Sequence, residues 1–94
     1  MALARVVTFD KVDSDRMAQM QQRMQETGRP DDVPASEILV LHDPEAETST
    51  VILFFENEDD YRQGDQTLNA MSAGDTPGRR ASVSKYDVAI RMSV

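Results

Sequence analysis

His42 is the only imidazole in the chain, and its side chain is the one best suited to proton transfer near neutral pH. It follows the apolar residues 38–41 and precedes Asp43 and Pro44, a pair that is typical of a turn. His42 is therefore a candidate catalytic general base. The alternative interpretation is a hairpin residue that hydrogen-bonds its own turn.

Two neighbouring arginines, Arg79 and Arg80, follow a Pro-Gly turn at the start of the last predicted strand. A guanidinium pair in that position can hold a carboxylate or a phosphate through paired hydrogen bonds. The alternative is that both arginines neutralise carboxylates, those of Asp75 or Asp87 or those of a partner subunit. The sequence leaves both interpretations open.

Arg5 stands inside the first predicted strand, in phase with its apolar residues. It therefore either faces a ligand pocket or extends its charged end to the sheet edge. A buried arginine needs an anionic partner, and we expect that partner to be Asp87, because the last strand is predicted to lie beside the first.

Further candidate pocket residues are two tyrosines and a set of methionines. Tyr61 and Tyr86 could each present a hydroxyl to a ligand. Gly64 on the inner side of the second helix indicates either close packing or space for a guest. Four methionines could adapt their side-chain conformations to a small apolar ligand or could only pack the core: Met17, Met20, Met24 and Met71.

Several kinds of site are not expected from the composition. The chain has no cysteine, which excludes disulfides and thiolate metal ligands, and a single histidine cannot form a histidine cluster within one protomer. The acidic residues 56 and 58–60 fit the first turn of a helix better than a metal site. We therefore predict no metal site and no cofactor.

The length and charge of the chain limit its class further. Ninety-four residues, of which 39% are apolar and 29% charged, predict one soluble domain spanning residues 1–94. A net charge of −7 argues against nucleic-acid and anionic-membrane partners. No secretion signal is recognised, and the longest apolar run, residues 51–55, is too short to span a membrane. We expect a cytoplasmic protein.

The periodicity of the chain predicts six elements in the order β-α-β-β-α-β. The predicted strands cover residues 3–9, 38–41, 51–55 and 82–92. One helix starts after Asp13 and Ser14 and runs to about Thr27, and the second follows Asn57 as its N-cap. Residues 28–35 and 72–78 are predicted loops. The fold class is α+β, ferredoxin-like, with a four-stranded antiparallel sheet in the order 4-1-3-2 and two helices on one face.

The predicted strands are apolar on both sides, which indicates that both sheet faces are covered. Residues 51–55 contain no polar side chain, and residues 38–41 are also entirely apolar. Two helices cover one face only, and an apolar sheet face is larger than soluble monomers usually expose. We therefore predict a homodimer that forms through the open sheet face.

The element order, the two-sided strands and the stretches 38–44 and 68–80 resemble the dimeric α+β barrel superfamily. Its members include antibiotic-biosynthesis monooxygenases, haem-degrading monooxygenases and stress-responsive barrel proteins. The resemblance implies two ferredoxin-like sheets paired into a barrel, with a ligand pocket between sheet and helices. Haem-degrading members use an Asn, a Trp and a His, and this chain has no Trp.

Three functions follow from these observations. The leading expectation is a small homodimeric protein that binds a partly apolar or anionic small molecule through Arg5, Tyr61, Arg79, Arg80 or Tyr86. The first alternative is a cofactor-independent monooxygenase or isomerase acting on an aromatic or polyketide-like substrate, with His42 as base. The second is a non-catalytic interaction module. The sequence does not decide whether the protein is an enzyme.

Overall fold

The computed structural model describes residues 2–27, 33–70 and 79–93 of the chain. Met71 and the predicted loop at residues 72–78 lie outside the described residues. The elements follow the predicted order: β1 (Leu3–Asp10), α1 (Ser14–Thr27), β2 (Glu37–Asp43), β3 (Thr48–Phe55), α2 (Glu58–Asn69) and β4 (Arg79–Asp87). The α+β class predicted from the periodicity is thus confirmed.

The four strands form one antiparallel sheet in the order β2-β3-β1-β4. Counted from the β4 edge, this is the predicted order 4-1-3-2, with β1 and β3 in the centre. The arrangement is consistent with a ferredoxin-like fold. No helix among the described residues is long and apolar enough to cross a membrane.

Both helices contact the same sheet face. Along β1, alternate residues from Leu3 to Phe9 point to that face and are buried. Met17 of α1 packs with Val7 and Phe9, whereas Tyr61 of α2 packs with Leu3. The core is therefore a layer between this face and the two helices.

The segment before β2 contributes more to the core than the sequence suggested. Residues 28–35 were expected to form a polar loop, yet Val33 is fully buried and Ala35 is 4% exposed. Both pack in the cluster that contains Phe55 and Tyr61. Residues 33–35 belong to no helix or strand, as the loop prediction requires, and residues 28–32 lie outside the described residues. Only the expected polar character was wrong, because the apolar side chains of Val33 and Ala35 are turned into the core.

Helix N-termini form where the predicted capping residues stand. The Asn57 side chain accepts a 2.8 Å hydrogen bond from the Asp60 backbone N–H at the start of α2. Asp13 accepts from the Arg16 N–H at 2.8 Å before α1. These bonds satisfy backbone donors that have no partner within the helix.

The last strand ends earlier than predicted. β4 stops at Asp87, and residues 88–93 are not strand, although the Val88 N–H donates to the Ala2 carbonyl at 3.0 Å. The pairing of β1 with β4 ends at Leu3 and Asp87. Arg91 then forms an ion pair with Glu37 and lies over the Phe54 ring, 4.6 Å from its centroid.

The sheet face that bears no helix is called the open face below. The strand registers place seven apolar or aromatic side chains on it: Ala4, Val6, Leu39, Leu41, Ile52, Phe54 and Tyr86. Leu41 is 54% exposed and Tyr86 56% exposed. Within this single chain, an apolar surface thus faces solvent.

Candidate functional site

Arg5 is a buried cation held by two residues of α2. Its side chain is 3% exposed, and its Nε donates to Oδ1 of Asp65 at 2.9 Å. Its Nη2 donates to Oδ1 of Asn69 at 3.1 Å. Asp65 and Asn69 are four residues apart and share a helix face that lies over β1. The expectation that Asp87 pairs with Arg5 was wrong, because Lys85 stands opposite Arg5 and Asp87 stands opposite Leu3.

A second guanidinium group reaches the same amide oxygen. Nη1 of Arg80 donates to Oδ1 of Asn69 at 2.9 Å, so the two guanidinium nitrogens that share this oxygen are at most about 6 Å apart. Nδ2 of Asn69 donates to Oδ2 of Asp65 at 3.3 Å. We call Arg5, Asp65, Asn69 and Arg80 the arginine cluster. Its formal charges sum to one positive charge.

The arginine cluster extends from the core to the surface. Arg5 is buried, the Asp65 side chain is 33% exposed, and Asn69 and Arg80 are exposed. A molecule in solvent would therefore reach Arg5 by passing Asn69 and Arg80.

A β-bulge in β4 gives Arg80 its orientation. Thr8 pairs with Ser82, but Phe9 pairs with Arg80, so Ala81 is an extra residue on β4. In a regular register without the bulge, Ala81 would pair with Phe9 and Arg80 with Asp10. The Arg80 side chain would then lie on the open face, because side chains alternate along a strand. Bulges commonly redirect side chains near functional sites.

Tyr61 lies one helical turn before Asp65 and is shielded from water. It is 7% exposed, and its ring meets the Phe55 ring edge-on with centroids 5.4 Å apart. Nζ of Lys85 lies 4.9 Å from the Tyr61 ring centroid. Burial, followed by the negative charge of Asp65, raises the pKa of Tyr61 above its ordinary value. The phenol therefore stays protonated at neutral pH.

Lys85, which lies over the Tyr61 ring, also forms an ion pair with Glu58 at the start of α2. Nζ of Lys85 lies 2.6 Å from Oε1 of Glu58. This hydrogen bond lowers the pKa of Glu58 below its ordinary value of 4.5 and raises the pKa of Lys85. A carboxylate with a lowered folded-state pKa contributes stability above its unfolded pKa and loses it as the pH falls through the folded value.

We expect Glu58→Gln to flatten the acid side of the stability profile. The wild-type free energy of unfolding should fall more steeply than that of the variant as the pH is lowered from about 5 through the folded-state pKa of Glu58. Urea titrations at closely spaced pH values would measure this slope. Asp59→Asn removes an adjacent, more exposed carboxylate and serves as control; an equal flattening by both variants would contradict the assignment to Glu58.

Two of the predicted ligand-binding residues lie away from the arginine cluster. Nη2 of Arg79 is 3.6 Å from Oδ2 of Asp10, which stands opposite it in the sheet. Tyr86 pairs with Ala4 and therefore lies on the open face. The structure thus brings Arg5, Arg80 and Tyr61 to the helix-covered face near α2, but not Arg79 or Tyr86.

His42 makes a structural hydrogen bond from the end of β2 to the connection between β1 and α1. Its Nε2–H donates to the Val12 carbonyl at 2.9 Å, and the Val12 N–H donates to the Glu47 carbonyl at 2.7 Å. The hydrogen bonds of the hairpin turn itself are accepted by Asp43, from the N–H groups of Glu45 and Ala46. The His42 side chain therefore links β2 to the β1–α1 connection. The expected hydrogen bonds to the hairpin turn are made by Asp43 instead.

His42 is far from the arginine cluster. It pairs with Ser49, which pairs with Phe9, and Phe9 is four residues along β1 from Arg5. These steps separate His42 from Arg5 by roughly 13 Å along the strands and two strand spacings, or about 10 Å, across them. His42 is therefore not part of the arginine cluster.

We expect His42→Ala to lower the free energy of unfolding by about 2 kcal/mol, because it leaves the carbonyl of fully buried Val12 without this donor. Urea denaturation would measure the loss. His42→Gln can still donate from its amide and should recover part of it. An unchanged midpoint for His42→Ala would contradict a structural role.

Comparisons of the chain with protein-family models, with curated proteins and with solved structures find no match. Within residues 2–27, 33–70 and 79–93, no three acidic or histidine side chains are placed to hold a metal ion. What the cluster offers chemically is two convergent guanidinium groups.

Asp65 and Asn69 were missed in the sequence. Both lie at helical spacing from Tyr61, four and eight residues on, and therefore share with it the side of α2 that faces the sheet. Polar residues in helical phase with an aromatic core residue are the signal that would have identified them as partners of a buried cation.

Proposed function

We propose that this protein binds a small, anionic, partly apolar molecule at the arginine cluster. The observation that carries the proposal is the buried guanidinium of Arg5, which shares an acceptor with that of Arg80. Arginine donors arranged in this way suit a carboxylate or phosphate, because charge-assisted hydrogen bonds are about twice as strong as neutral ones.

The cluster is preorganised for such a ligand. Asp65 fixes the Arg5 side chain through a 2.9 Å hydrogen bond, and folding has already removed this guanidinium from water. A ligand therefore does not have to order or desolvate it again, which favours affinity. Among the described residues, the acceptor that Arg5 and Arg80 share, the Asn69 amide, is neutral, so the arginine cluster keeps one formal positive charge.

An apolar contact is available next to the cations. Val83 lies on β4 between Arg80 and Lys85, pairs with Val7, and is 38% exposed. Its side chain shares the helix-covered face with both cations, because side chains alternate along the strand. This apolar surface supports a ligand with a hydrocarbon part rather than a bare inorganic anion.

We also propose that two copies pair through the open face, as the resemblance to dimeric α+β barrels implies. Support comes from the exposed side chains of Leu39, Leu41 and Tyr86. Monomers seldom leave a contiguous apolar face of this kind in water. A cytoplasmic location stays a prediction, with which the lack of cysteine is compatible.

Native mass spectrometry of the freshly purified protein tests both proposals in one experiment. We expect a dimer that carries a reproducible small-molecule adduct. Leu41→Lys should yield monomers, whereas Arg80→Gln should remain dimeric and lose the adduct. A wild-type monomer would contradict the pairing, and an adduct retained by Arg80→Gln would contradict the site.

A second candidate function is a non-catalytic interaction module, favoured by the same open face. A bare dimer with no anion affinity would support it. The monooxygenase alternative is not favoured, because His42, its proposed base, is hydrogen-bonded to the Val12 carbonyl and lies far from Arg5 in the sheet.

A further inference from the structure

We infer that the ligand group entering the arginine cluster is a single carboxylate, which replaces the Asn69 amide oxygen between Arg5 and Arg80. The inference rests on the proposed function and specifies its ligand class. Three properties of the cluster carry it: its charge, the shape of the group now between the guanidinium groups, and the position of Asn69 in α2.

The charge of the cluster fits a monoanion. Arg5 and Arg80 contribute two positive charges and Asp65 one negative charge, and the neighbouring Lys85 and Glu58 neutralise each other. One carboxylate therefore makes the cluster neutral, whereas a phosphate dianion leaves an excess negative charge. Asn69 is also the last residue of α2, and the negative end of the helix dipole disfavours additional anionic charge there.

The shape of the Asn69 side chain points to the same group. Its Oδ1 is an sp² oxygen of a planar amide, and it accepts at 3.1 Å from Arg5 and at 2.9 Å from Arg80. A carboxylate is planar and nearly isosteric with an amide, so one of its oxygens can take the same position. A tetrahedral phosphate does not reproduce this shape.

Asn69 is placed where a side chain can leave at low energetic cost. It is exposed, it ends α2, and its own donor bond to Asp65 is long, at 3.3 Å. Helix ends fray easily. Rotation of this side chain would free both guanidinium groups, while Asp65 continues to hold Arg5 in place through its separate oxygen.

The test is calorimetric titration with three probes that share a phenyl ring: benzoate, phenyl phosphate and neutral benzamide. We expect benzoate to bind most tightly and benzamide not to bind. Arg80→Gln should weaken benzoate binding at least about tenfold, as for loss of one hydrogen bond to a charged group. Arg79→Gln, which makes the same charge change at the adjacent residue, should leave the affinity unchanged.

Two substitutions of Asn69 separate displacement from mere proximity. Asn69→Ala removes the competing acceptor and should strengthen benzoate binding several-fold. Asn69→Asp places a carboxylate within the chain against both arginines and should weaken binding by about tenfold or more. Circular dichroism and urea midpoints for each variant would establish that it is folded before its affinity is interpreted.

The failures are distinguishable. Tighter, Arg80-dependent binding of phenyl phosphate would overturn the carboxylate and leave the proposed anion site standing. Loss of benzoate binding in folded Asn69→Ala would overturn the displacement of the amide. If neither anion shows Arg80-dependent binding, the proposed function and the inference both fail.

Discussion

Asp65→Ala should lower the free energy of unfolding by about 3 kcal/mol, because it leaves the guanidinium of Arg5 buried without its anionic partner. This figure is at the lower end for broken buried pairs, since the Asp65 position is 33% exposed and water can enter near it. Urea denaturation with a constant m-value would measure the change.

The reverse truncation should be milder. In Arg5→Met, the apolar side chain fills most of the space, and the partly exposed carboxylate of Asp65 remains accessible to water; we expect a loss of about 1 kcal/mol. Asp59→Ala is the matched control, because its carboxylate is 91% exposed and lies 3.8 Å from Arg62; its effect should stay within about 0.5 kcal/mol. Equal losses for Asp65→Ala and Asp59→Ala would contradict a buried pair.

Gly64→Val should destabilise the protein by about 3 kcal/mol through overpacking. A Cβ at Gly64 would lie 2.6 Å from Cε1 and 2.7 Å from Cζ of the Phe55 ring, and that ring is fully buried. Gly64→Ala should also destabilise, by about 1 kcal/mol, although alanine in an open helix position would stabilise by a similar amount. Thermal and urea unfolding would measure both variants.

A double-mutant cycle tests the cause of the Gly64 effect. Phe55→Leu removes ring atoms that the new Cβ would meet, so Gly64→Ala should be less harmful in the Phe55→Leu background than in the wild type. Gln63→Ala, at an exposed position of the same helix, is the control for helix propensity. A stabilising Gly64→Ala would show that α2 does not pack closely on Phe55.

The helices and strands could be predicted from the sequence because the residue patterns that indicate them are local. Alternation along β1 and the acidic first turn with Asn57 before α2 predicted elements that the structure contains. The end of β4 could not be predicted from the sequence. Apolar and polar residues continue to alternate through residues 88–92, but the pairing of β4 with β1 ends at Asp87. A strand forms only where a second strand supplies hydrogen-bond partners, and the residue pattern of one strand does not show where its partner strand ends.

The arginine cluster could be predicted only in part, because its contacts join residues that are distant in the sequence. Arg5 was identified by its polar side chain in an apolar phase, but its partner depends on which residue of α2 lies over β1. The orientation of Arg80 depends on the bulge at Ala81, which shifts the register with β1 by one residue. No local pattern distinguishes this register from the regular one.

The most direct test of the proposed site is a nitrogen-15 NMR spectrum of the arginine side chains, recorded during a titration with benzoate. Assignments come from the Arg5→Met, Arg79→Gln and Arg80→Gln variants. We predict that the side-chain resonances of Arg5 and Arg80 shift together along one saturating curve while those of Arg79 stay in place. A titration that moves Arg79 as much as Arg80 and leaves Arg5 unchanged would contradict the site.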